Sequence, residues 1–294
     1  MPRTPHTTPP TYPDPIAGSR FASTISRVDP SGCAIALIGI PDDTGVKLNN
    51  GRPGASEGPT AIRAALAKMG VVDPEGWGWA RVFDAGDVEV VPGDLHATHD
   101  RVTATTSHLL DLGLFPIALG GGHDLTFPFV RAVAQKFGAM NGVYFDPHLD
   151  VREHDGSGMP FRKLIETGSA RTLRIHGFDP MSNSREHVRW FQANGGRIDD
   201  LSTPEDPFPE GDTFVSLDMD VFDSAYAPGV SALNAQGWSP ELASRWVAAA
   251  GANSKIRSFD IMECSPPHDT QGRTSRLAAR MLLTFLKAFS ERPS

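Results

Sequence analysis

Cysteine is nearly missing from this chain. Its 294 residues hold two, Cys33 and Cys264, too few for a disulfide framework and wrongly spaced for a zinc ribbon. A reducing compartment, the cytoplasm, is the simplest setting. No apolar run approaches the roughly 20 residues that a membrane-spanning helix needs, and the N-terminus lacks the charged-then-apolar pattern of a secretory signal. Cations are also in deficit, with 27 Lys and Arg against 35 Asp and Glu for a net charge of −8. That balance disfavours nucleic acid and membrane surfaces as partners, because both select for clustered Lys and Arg. What remains is globular: 39% hydrophobic and 21% charged residues lie well away from the composition of disordered chains. The length allows one large α/β domain.

Residues 1–31 carry Pro2, Pro5, Pro9, Pro10, Pro13, Pro15 and Pro30 among Ser and Thr. Such a segment cannot propagate a helix or pair centrally in a sheet, so it is expected to be an extended arm ahead of a single domain over 32–294. From Cys33 onward, short apolar runs alternate with stretches of helical period, the pattern of βα units feeding a parallel sheet. Strands are expected over 33–40, 81–88, 115–120, 142–147, 172–176, 196–200, 213–219 and 256–262. Helices are expected near 58–69, 98–113, 125–138, 184–194, 239–252 and 274–290, with Ser239 as an N-cap before Pro240.

Ligands of parallel α/β sheets bind beyond the carboxyl ends of the strands, and three runs of polar residues fall there. Asp146-Pro147-His148-Leu149-Asp150 offers three metal ligands at alternate positions. Asp218-Met219-Asp220 offers two more, and Gly121-Gly122-His123 presents an imidazole after a glycine turn. With extended backbone, residues two apart share a face. Carboxylates so gathered repel one another unless cations lie between them, and no matching Lys or Arg stands beside them in sequence. Two divalent cations would neutralise four aspartates and use both histidines, and a ligand set of oxygens and imidazoles without thiolate suits manganese. Either Asp-x-Asp run alone is a common accident of caps and turns; the runs gain weight together. His6, His96, His99, His108 and His187 fall in the arm or on expected helical surface, where solvation is their simplest role.

These three runs, with Ala227-Pro228-Gly229 after the last, resemble the ureohydrolases: arginase, agmatinase and formimidoylglutamase. The resemblance implies a three-layer αβα sandwich around a parallel eight-stranded sheet, the arginase-like fold. It also implies two Mn2+ ions held by His123, Asp146, His148, Asp150, Asp218 and Asp220. Within the family, Gly45 to Ala55 with Arg63, the Gly120-Gly121-Gly122-His123 form of the first loop, Arg152, and Ser157-Gly158-Met159-Pro160-Phe161 are similar to formimidoylglutamase. Asp124 departs from the Glu of that branch, and Pro147 from the usual Ala.

The implied reaction is hydrolysis of N-formimidoyl-L-glutamate to L-glutamate and formamide, a step of histidine degradation. Hydroxide bridging the two ions attacks the amidine carbon, and the leaving nitrogen is protonated before C–N cleavage. Asp150 is the family's candidate proton carrier, Glu263 its partner for the amidinium nitrogens, and Arg152 suits a substrate carboxylate. Arg52 and Arg162 are further candidates for a second carboxylate. Two other readings remain open: a guanidine ureohydrolase such as agmatinase, releasing urea, and a non-catalytic metal-binding relative. The family resemblance also implies a homo-oligomer.

Overall fold

The computed structural model describes residues 4–70, 78–199 and 208–292. Pro2 of the expected arm and Asp200, which closes the strand expected over 196–200, lie outside the described residues. The strands are β1 (Thr7–Thr8), β2 (Ile35–Ile40), β3 (Val82–Val88), β4 (Phe115–Gly120), β5 (Met140–Phe145), β6 (Ala170–His176), β7 (Arg197–Ile198), β8 (Thr213–Asp218) and β9 (Ile256–Met262). They form one sheet in the order β1-β3-β2-β4-β9-β8-β5-β6-β7. From β2 to β9 every pairing is parallel. The expected eight-stranded parallel sheet is therefore present, and β1 adds a short antiparallel edge strand on β3 that was not foreseen. An edge tolerates the flanking prolines of this segment because one side of the strand needs no partner.

The helices are α1 (Thr44–Leu48), α2 (Gly58–Leu66), α3 (Leu95–Asp111), α4 (Thr126–Phe137), α5 (Pro160–Glu166), α6 (Arg185–Ala193), α7 (Pro240–Ala252) and α8 (Arg273–Ser290). Strand side chains alternate between two apolar layers. Ile35, Leu37, Val143, Val215 and Phe259 pack with α2, α7 and α8, whereas Ala36, Ile38, Tyr144 and Phe214 pack with α3, α4, α5 and α6. This is the three-layer αβα sandwich. Ser239 caps α7 as its position suggested, accepting a hydrogen bond from the Leu242 amide at 3.2 Å. Helix α3 starts earlier than its apolar period implied, because Asp94 accepts from the Ala97 amide at 2.9 Å and caps it. The helices α1 and α5 are too short to show a period.

Beside the sheet edge, Arg63 of α2 is fully buried. Its guanidinium donates to Asp84 at 2.8 and 2.9 Å and to Asp87 at 2.5 Å. Tyr12 of the N-terminal segment donates its hydroxyl to Asp84 Oδ2 at 2.7 Å. A hydrogen bond to a buried charge contributes about 1.5–3 kcal/mol. Tyr12→Phe is therefore expected to lower Tm by about 5 °C in a thermal melt. An unchanged Tm would mean that Tyr12 does not anchor this segment.

Candidate metal centre

Four strands that are neighbours in the sheet, β4, β9, β8 and β5, end at one rim. The glycine turn after β4 carries His123; Gly121 is required there, since a Cβ would sit 1.8 Å from the Asp42 carbonyl oxygen. His123 Nδ1 lies 3.1 Å from Asp146 Oδ2, 2.9 Å from Asp150 Oδ2 and 2.9 Å from Asp218 Oδ2. The ligand atoms of these four side chains fall within 4.8 Å of one another. His148 Nδ1 is 3.3 Å from Asp146 Oδ1 and 4.0 Å from Asp220 Oδ2. All six side chains named from the sequence thus stand in one cluster.

The reason for their convergence differs from the extended-strand expectation. Strand β5 stops at Phe145, and 146–150 is a turn in which Asp146 Oδ1 accepts from the His148 amide at 2.7 Å. Asp150 has φ +48°, a left-handed conformation costly for a residue with a Cβ. After β8, a 3-10 turn over Met219–Val221 follows, and Asp218 Oδ1 accepts from the Asp220 amide at 2.6 Å. Local carboxylate-to-amide bonds of this kind compete with strand geometry and fold each pair of ligands inward.

Burial and mutual repulsion dominate the electrostatics. Burial, then Asp146, pushes the Asp218 carboxyl up to about 6. Burial, then Asp218, raises Asp220 and Glu263, the latter to about 8. Burial favours neutral imidazoles, yet the surrounding carboxylates win: His123 is raised and His148 reaches about 9. Burial also opposes ionisation of Asp146, but the two imidazoles outweigh it and hold that carboxyl below its usual range. His123 Nδ1 and Asp146 Oδ2 are buried without a hydrogen bond of acceptable geometry, although they lie so close. Without metal this knot of buried carboxylates is held together by protons on its raised groups; oxygen and imidazole ligands without thiolate are the set that a hard divalent cation takes in their place. The residues fit a metal.

The cluster forms the floor of a cleft of about 280 Å³. Glu263 follows β9 with φ +66° and lines the cleft. Its Oε1 accepts from the His123 amide at 2.7 Å, and its Oε2 accepts from the Ser231 hydroxyl. Arg152 lines the rim and is exposed.

Residues 33–287 match the arginase family. A formimidoylglutamase of Rhodococcus opacus is 32% identical over 282 residues, covering 87% of this chain and 85% of that protein. Among solved structures, the Trypanosoma cruzi formiminoglutamase with Mn2+ is similar at a TM-score of 0.85 and 29% identity, over 93% of this chain and 99% of that one. Formimidoylglutamase from Bacillus subtilis is similar at a TM-score of 0.85 and 27% identity, over 94% and 93%. The chain belongs to the arginase family. It is a ureohydrolase, acting on amidine or guanidino substrates.

Some other side chains of this arginase-family site were not visible in the sequence. His99, expected on solvated surface, is buried and its Nε2 lies 3.0 Å from Asp124 Oδ2. The departure to Asp at 124 thus has its own partner from α3. His187 stands half-buried on the surface of α6, and there it lines the cleft. Arg52 lines the cleft too, but it donates to the Pro228 and Val230 carbonyls at 3.2 and 2.5 Å. Arg162 does not line it; it pairs with Glu166 at 2.7 Å and lies over the Trp190 ring. Asn183, after β6, clamps the 146–150 turn by accepting from the Leu149 amide at 2.9 Å and donating to the Pro147 carbonyl at 2.7 Å.

Behind His123, Nε2 meets the Ser216 hydroxyl at 3.0 Å, and Ser216 donates to Asp260 Oδ1 at 2.5 Å. Ser216 and Asp260 are register partners on β8 and β9. If Nδ1 offers its lone pair to a cation, Nε2 carries the proton and donates it to this serine, which fixes the ring plane. Partners of this kind are commonly worth about 10–100-fold in metal affinity. Ser216→Ala is expected to weaken Mn2+ binding by about ten-fold or more, within that range, in a competition titration against a chelator, beyond the drop of a few degrees in Tm in excess chelator that one lost buried hydrogen bond brings. Unchanged affinity would remove Ser216 from any orienting role.

Proposed function

We propose that this chain hydrolyses N-formimidoyl-L-glutamate to L-glutamate and formamide, using two Mn2+ ions held by His123, Asp146, His148, Asp150, Asp218 and Asp220. The observation that carries the reading is the polarity of the cleft. Its floor is acidic and its rim presents the cation of Arg152, matching a substrate with an amidinium at one end and carboxylates at the other. The names of the curated relatives point to the same substrate.

Divalent cations bound at the floor supply Lewis acidity and make hydroxide available near neutral pH. The chain's own groups do the rest. Glu263 orients the amidine by accepting hydrogen bonds from its nitrogens, and its backbone, bonded to the Gly121 carbonyl at 2.9 Å, is held against the turn that carries His123. Oxygen adds to the amidine carbon, giving a tetrahedral centre whose bond to the glutamate nitrogen must break. That nitrogen takes up a proton before it leaves, and Asp150, beside His123 Nδ1 at 2.9 Å, carries it from the attacking water. One water is consumed: its oxygen ends in formamide, and its two protons end on the nitrogen that leaves as the ammonium of glutamate. Arg152 holds a substrate carboxylate at the rim.

The direct test offers the purified, Mn2+-loaded protein formimidoylglutamate, arginine, agmatine and guanidinobutyrate side by side. Formamide and glutamate from the first are expected. Urea from any of the others, without formamide, would replace the substrate and leave the ureohydrolase class intact.

A further inference from the structure

The rim of the cleft holds a second donor beside Arg152. His187 lies in the first turn of α6 and is half-buried. It lines the same cleft as Arg152. Among the described residues, neither the Arg152 guanidinium nor the His187 ring has a hydrogen-bond or ion-pair partner. The charged groups facing His187 are Arg152, Glu186, Asp150 and Arg162. Of these, Arg162 is engaged with Glu166 and Asp150 belongs to the metal cluster. Burial, then the Arg152 cation, makes the ring a weaker base than usual. Glu186, which is exposed, makes no ion pair with either residue; two donors that line one cleft, near enough for the cation of one to weaken the base of the other, form a site that an anion completes.

We propose that Arg152 and His187 together seat a substrate carboxylate, so that His187 is a specificity-determining residue selecting amidines that carry an anionic group at this distance from the metal cluster. The inference rests on the reading of the cleft as an amidine hydrolase site. Arg152 presents its planar fork to one edge of the carboxylate, and the His187 ring N–H donates to an oxygen lone pair that the fork leaves free. The neutral imidazole suffices, because one of its nitrogens is a donor in either tautomer.

The test uses two probes that divide the substrate between them: glutarate, which has carboxylates and no amidine, and formamidinium, which has the amidine and no carboxylate. Binding of each to the Mn2+-loaded full chain is measured by calorimetry for the wild type, His187→Ala and His187→Gln. A lost hydrogen bond to a charged group predicts glutarate binding weakened about ten-fold in His187→Ala, with partial recovery in His187→Gln and formamidinium binding unchanged in both. Glutarate binding that is absent from the wild type, unaltered by the substitution, or weakened in parallel with formamidinium would overturn the seat. Failure of the wild type to turn over formimidoylglutamate would instead remove the proposed substrate, and the glutarate result would still decide the role of His187.

Discussion

Asp218→Asn is expected to lower kcat by about 10²–10³, the range seen when a principal charge-stabilising group is removed, while raising the stability of the metal-free protein. Asp218 is the middle of the cluster: one oxygen lies 2.9 Å from His123 Nδ1, and the other accepts from the Asp220 amide at 2.6 Å. Asparagine preserves shape and can still accept from that amide. It removes one negative charge, however, and turns an NH2 donor toward the place where a cation needs a lone pair. Without metal the same change relieves repulsion, since Asp218 is held up to about 6 chiefly by burial and next by Asp146. The two effects oppose each other, which separates them from general unfolding. The measurement is kcat at saturating Mn2+ together with melting in excess chelator. Activity within ten-fold of wild type would show that Asp218 is no essential ligand, and a lower melting temperature in chelator would contradict the repulsion argument.

The sheet was legible because β2, β4, β5, β8 and β9, its central strands, are largely apolar and bounded by turn residues, and strand ends in a parallel sheet announce where ligands go. The six metal-ligand candidates were legible for that reason, with one change of mechanism. The carboxylates converge through turns closed on the His148 and Asp220 amides, which periodicity cannot express. Strand β1 escaped notice because two residues among prolines carry no alternation. Its place was set by pairing with β3, a tertiary event.

What stayed hidden was mostly partnership across distance in the chain. Ser216 and Asp260 are unremarkable within their own strands and become a relay only because β8 and β9 align them. His99 looked solvated because α3 alternates polar and apolar residues without a sharp apolar face. Its carboxylate partner, Asp124, lies in the turn after β4. His187 looked solvated for a similar reason, its helix being polar over most of its surface, with Phe191 its fully buried residue. A buried histidine leaves a sequence signal only through a partner close in the chain, and the partner of His99 is remote.

Removing metal is expected to destabilise the protein progressively as pH rises from about 5 to 9. Two kinds of group act in the same direction. Asp218, at about 6, and Glu263, at about 8, have pKa values raised above the usual carboxylate range, so the metal-free folded state holds protons that the unfolded chain has released. His148, at about 9, is likewise raised, and its protonated form is part of what neutralises the cluster. Each contribution is fully present below the unfolded pKa and is lost as pH climbs through the folded value. Asp146 behaves oppositely, but its lowered pKa matters only in acid, below the window considered. Mn2+ reverses the slope, because it binds the deprotonated ligands and takes over the neutralising role of the protons. At about 1,000 times its Kd a ligand adds roughly 4 kcal/mol, or on the order of 10 °C in Tm for a domain of this size. The gap between Mn2+-loaded and chelated melting curves should therefore be small near pH 5 and reach that scale near pH 8.5. A gap independent of pH would show that metal and protons do not compete for these six side chains, and the charge argument for a metal pair at the β4, β9, β8 and β5 ends would fall with it.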